Sequence, residues 1–173
     1  MHKSSISKNI KKTQTVESFL NSNELASKFK TTKPDQRLNF TSNLIAEIAK
    51  LKNENQNHTE INNLPTELID FITRRLSESN KNLVQTVLNL LRAVSQDCSQ
   101  VGKKKLIEMC FTPVMLCFGD LKLPVRKQAL ECTKSLVASD NEFALIKSDQ
   151  WKYIFKTDNK HLIVEVITFF CTE

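Results

Sequence analysis

The chain has 173 residues, enough for one domain with a core of its own, so it needs no disulfide or metal staples to fold. Its 25 Lys and Arg residues outnumber 19 Asp and Glu residues, and the resulting charge of +6 favours an anionic partner without naming one. Two glycines and four prolines are too few for strands joined by tight turns, which leaves an all-helical chain.

The first 15 residues form a basic arm with Lys3, Lys8, Lys11 and Lys12 and no acidic residue, and we expect it to be disordered. It lacks the apolar run of a signal peptide, and no later stretch reaches the roughly 18 consecutive apolar residues of a membrane span. A cytoplasmic location is therefore expected. The five cysteines, Cys98, Cys110, Cys117, Cys132 and Cys171, are an odd number and fall mainly where helices bury small side chains, so they read as reduced.

Helical periodicity then runs along the chain from residue 16. A first helix is expected from Val16 to Phe29, carrying Phe19, Leu20, Leu25 and Phe29, and the corner around Pro34 ends it. A second places Phe40, Leu44, Ile45, Ile48 and Leu51 on one face. The Asn-rich run from Lys52 to Asn63 reads as a polar linker that could not bury a helix face. Next come a helix with Leu64, Leu68, Ile69, Ile72 and Leu76, a corner at Ser77 to Asn80, and a helix with Val84, Val87, Leu88, Leu91 and Val94. The pattern repeats: Ile107, Cys110, Phe111, Val114 and Phe118, a corner around Asp120 to Lys122, then Val125, Ala129, Cys132, Leu136 and Val137. A last pair turns at Asn159, with Trp151 and Tyr153 expected as packing residues. Its second helix is apolar nearly all round and is expected to be deeply covered.

Four helix pairs with corners near Pro34, Asn80, Lys122 and Asn159 fit the roughly 40- to 47-residue units of HEAT and armadillo arrays. The expected fold class is thus an all-α, HEAT/armadillo-like solenoid of about four helix pairs. In such an array every bend within a repeat lines one edge.

No catalytic constellation emerges. The chain has no phosphate-binding Gly-rich loop, its three histidines are scattered, and Cys110 and Cys117 lie too far apart for a Cys-x-x-Cys pair. We expect no enzyme, no cofactor, no metal and no small-molecule substrate. Nucleic-acid binding through the arm or through Gly102 to Lys105 ranks third, because no aromatic residue is interleaved with those lysines.

The corners carry a more specific signal. Ser79-Asn80 precedes Val84, Asp120 and Lys122 precede Val125-Arg126 and Ala129, and Asp158-Asn159 precedes Leu162. This pattern resembles the TOG domain, a HEAT array of microtubule-regulating proteins, and residues 16–173 resemble its first four repeats. The stretch from Leu64 to Leu136 matches best. In the first corner Arg37 matches, whereas Pro34 stands where the family commonly has tryptophan; in the fourth, Asp158 and Lys160 replace lysine and proline.

The resemblance implies a non-catalytic module that binds the tubulin heterodimer or the microtubule, with a cytoskeletal location. It makes Lys33, Arg37, Ser79, Asn80, Lys81, Lys122, Arg126, Asn159 and Lys160 the candidate contacts, with the basic arm as a lattice-binding tail. The alternative is a generic HEAT or armadillo scaffold that holds another protein on its concave face.

Overall fold

The computed structural model describes residues 14–54, 60–138 and 146–172. Nine α-helices lie among them: α1 (Val16–Leu20), α2 (Asn23–Thr31), α3 (Arg37–Glu54), α4 (Thr66–Leu76), α5 (Lys81–Ser95), α6 (Gln100–Leu116), α7 (Leu123–Leu136), α8 (Ser148–Phe155) and α9 (Lys160–Thr172). Short 3-10 turns cover Pro34–Gln36 and Cys117–Gly119. Among the described residues there is no strand, only an isolated bridge between Ile61 and Cys98. The expected arm lies almost wholly in residues 1–13, outside the described residues.

The single helix expected from Val16 to Phe29 is two. Ser22 accepts the Leu25 N–H through its hydroxyl and so starts α2 afresh, while the Asn21 amide donates to Glu17 O and to Asn63 O. Local side-chain bonds of this kind compete with helix continuation.

The helices pack in two series. α2 contacts α4, α4 contacts α6 and α6 contacts α8, while α3 contacts α5 and α5 contacts α7; α4 with α5 and α6 with α7 then join the series. The apolar stripes explain this arrangement, since the predicted core positions of α4 and α5 are all buried, together with Phe71, Leu83 and Leu90. Aromatic rings bind successive pairs: Phe29, Phe40 and Phe71 meet at 5.3 to 5.7 Å between centroids, and Trp151 meets Phe111 at 5.3 Å.

Polar contacts between pairs keep a nearly constant offset along the chain. Lys52 to Ala93 spans 41 residues, Lys105 to Leu64 spans 41, Ser95 to Ser135 spans 40, and Gln150 to Ile107 spans 43. This packing is compatible with an α-solenoid.

Three expectations are corrected. The run expected as a linker is not linker throughout: Lys52 to Glu54 end α3, residues 55–59 lie outside the described residues, and Ile61 is fully buried, its N–H donating to Asp97 O at 2.8 Å and its carbonyl accepting the Ser99 N–H at 3.0 Å. One apolar side chain in a polar run suffices, because the neighbouring turn satisfies its backbone. Tyr153 is not a packing residue, being 61% exposed, whereas Trp151 is packed between Phe111 and Phe170. Finally, α9 is covered on one side only. Leu162, Val166 and Phe169 are buried, but Val164 and Ile167 are 60% and 50% exposed, since no described element packs on that face.

Candidate functional site

The four corners between paired helices are the sequence's strongest functional signal, and two of them are closed by side-chain caps while the other two carry a proline at the start of the following turn. At the second, Asn80 Oδ1 accepts the N–H groups of Asn82 and Leu83, both at 3.2 Å, and starts α5. At the fourth, Asn159 Oδ1 accepts the Leu162 N–H at 3.0 Å and starts α9. Pro34 opens the 3-10 turn of the first corner, and Pro124 stands in the first turn of α7, where a missing N–H costs nothing.

Successive corners touch. Arg37 Nη1 lies 2.8 Å from Glu78 Oε1, so the first corner is tied to the second, and Arg75 pairs with the same carboxylate. Lys81 Nζ lies 2.7 Å from Asp120 Oδ2, which ties the second to the third. The Asn159 amide donates to Gly119 O at 3.4 Å, tying the third to the fourth. All four corners therefore stand side by side along one edge of the molecule.

This ladder divides the nine candidate residues. Arg37, Lys81, Asn80 and Asn159 are engaged in pairs or caps, and Arg126 turns its guanidinium onto the carbonyls of Asp120 at 2.8 Å and Leu121 at 3.2 Å. Lys33, Ser79, Lys122 and Lys160 are exposed and make no side-chain hydrogen bond or ion pair among the described residues. The outward-facing charge of the corners is accordingly that of Lys33, Lys122 and Lys160 together with the exposed carboxylates of Asp35 and Asp158.

The third corner is the most braced. Asp120 Oδ1 accepts the Lys122 N–H at 2.9 Å while Oδ2 holds Lys81. Burial pushes the Asp120 carboxyl up, but the Lys81 hydrogen bond, the Lys122 N–H and the charges of both lysines outweigh it, and the net shift is downward. Gly119 sits where the fourth corner comes closest, since a Cβ there would meet Asn159 Nδ2 at 2.5 Å and Leu162 Cβ at 3.0 Å.

Two corner residues stand outside the candidate contacts: Glu78, in the place of the TOG family's usual aspartate by resemblance, holds two arginines, and Leu121 is 97% exposed at the tip of the third corner. Leu121 was legible as an apolar residue inside the polar run Gly119 to Lys122, but its direction was not. The lysines after Gly102 do not form an open basic strip: Lys105 donates to Leu64 O at 2.7 Å and Lys103 is half-buried. Among the described residues, no group of three or more His, Cys, Asp or Glu side chains is placed to hold a metal ion, and no helix is long and apolar enough to cross a membrane.

The described residues thus define an all-helical protein with a cross-linked row of corners. No family model matches the chain, and no solved structure does. Over 76 residues, 44% of this chain, it is 30% identical to Centrosomal protein 224 of Dictyostelium discoideum, of which the match spans 4%.

Proposed function

We propose that this chain is a non-catalytic, tubulin-binding module of HEAT-type repeats, acting on microtubule assembly through the row of corners. The observation that carries this reading is the ladder Arg37–Glu78, Lys81–Asp120 and Gly119–Asn159, which aligns the corners whose residues resemble those of TOG domains. The constant offset near 40 residues between touching positions supports the HEAT-type repeat. A relative named as a centrosomal protein supports a cytoskeletal setting.

Physically, a fixed row of corners presents its contacts at low entropic cost, and Lys33, Lys122 and Lys160 outnumber the exposed Asp35 and Asp158 to leave a weakly basic field. Tubulin is strongly acidic. Such a field speeds encounter with an acidic partner and weakens as salt screens it. The lysines of the arm add to that field in formal charge, as the tail that a microtubule lattice would attract.

The test is sedimentation of the purified protein with unpolymerised tubulin at low and moderate salt. Lys122→Glu combined with Lys160→Glu is the informative variant, because both side chains are exposed and neither makes a side-chain hydrogen bond or ion pair among the described residues. A co-sedimenting complex that weakens with salt and with the double reversal supports the reading. Equal affinity before and after reversal counts against the corners. No complex at micromolar concentration leaves a helical scaffold for another protein.

A further inference from the structure

We infer that Leu121 is the apolar anchor of the corner edge and that it inserts into an apolar pocket with an acidic rim on the partner. This inference rests on the reading of the corners as the binding edge and adds the residue and the chemistry that give the contact its lifetime.

A leucine exposed on a protein surface is ordinary by itself. What distinguishes Leu121 is how it is held. It is 97% exposed, yet the carbonyl on each side of its own N–H–Cα unit is taken: Asp120 O and Leu121 O both accept from the Arg126 guanidinium, at 2.8 and 3.2 Å. The Asp120 carboxylate closes the turn on the Lys122 N–H at 2.9 Å and anchors it to Lys81 at 2.7 Å. The fourth corner backs the turn through Asn159 and Gly119.

Every polar group named in that corner is thereby directed inward, and what remains outward is one leucine beside one lysine. Leu123, 51% exposed, extends the apolar surface by one more side chain. An apolar side chain on a pre-organised turn loses little freedom on burial, which is the condition for a small contact to dominate an interface. Lys122 next to it favours a receiving pocket bordered by carboxylates over one bordered by cations.

Lysine and leucine contributions are separable by experiment. A rim charge acts mainly on association and on salt dependence, whereas a buried apolar anchor acts on dissociation and leaves the salt dependence alone. Binding of unpolymerised tubulin is measured across a salt series for the wild type, Leu121→Ala and Lys122→Glu, with circular dichroism confirming the fold of each. We expect Leu121→Ala to weaken binding about tenfold or more with an unchanged salt slope, and Lys122→Glu to flatten the slope. Wild-type affinity in Leu121→Ala overturns the anchor while leaving the corner reading intact. Absence of binding by the wild type overturns the corner reading and the anchor together.

Discussion

Lys81 and Asp120 lie 2.7 Å apart although each belongs to a different corner, and the pair ties the second and third helix pairs together at their turning ends. The lysine side chain is 33% exposed and the aspartate 10%, so the pair is shielded from solvent more than an ordinary surface bridge. Removing one partner leaves the other charge half-buried. Asp120→Asn is expected to cost about 1–2 kcal/mol, and Lys81→Met a similar amount, with the double variant losing less than the sum. Urea denaturation of the four proteins of the cycle measures it.

The same carboxylate gives a pH signature. Its folded pKa is lowered, so its contribution to stability is complete above the ordinary carboxyl value of about 4 and is lost as pH falls through the lower folded value. The stability gap between wild type and Asp120→Asn should be full at pH 6 and narrow progressively below pH 4. A gap independent of pH would show that the cost of the substitution is steric.

The two glycines of the chain offer a paired comparison, because both stand where neighbouring pairs meet. In Gly102→Ala the new methyl meets Ile61 O at 2.6 Å and Cys98 Cβ at 3.1 Å. A backbone carbonyl held in the Ile61–Cys98 bridge has nowhere to go, so the alanine loses more than the helix-propensity gain of about 1 kcal/mol returns. In Gly119→Ala the first obstacle is the movable end of the Asn159 side chain. Thermal unfolding should show Gly102→Ala as the more damaging change.

Capping of the corner helices is open to the same kind of test. Asn80→Ala removes the acceptor of two N–H groups and is expected to destabilise by about 1 kcal/mol, while Asn80→Ser keeps most of it. If Asn80→Ser retains stability but loses partner binding, the asparagine contributes to the interface as well as to the cap.

Thiol chemistry separates buried from exposed cysteines. Burial pushes the thiols of Cys98, Cys110 and Cys117 up to about 12, and that of Cys132 well above its ordinary value, whereas Cys171 is exposed. In native protein one thiol should react promptly with an aromatic disulfide reagent and the other four only on unfolding. Loss of the fast reaction in Cys171→Ser identifies it.

The sequence by itself determined the helical class, the positions of the corners and most of the core. Leu68, Ile72, Val84, Leu88, Ile107 and Val114 are buried where helical spacing puts them, because periodicity is a local property that one helix displays alone. Capping by Asn80 and Asn159 was local too, although the break at Ser22 shows that a cap can also divide a helix that the apolar pattern would continue. What only the tertiary structure decided are the contacts made at offsets near 40 residues. No local pattern reveals that Arg37 meets Glu78, that Ile61 is buried against Cys98, or that Arg126 serves its own corner instead of facing outward. These depend on the rotation and rise from one helix pair to the next, which sum over every side chain in the interface. For the same reason, the candidate edge divided into bracing residues and exposed ones only when the pairs were stacked, and Leu121 emerged at its tip.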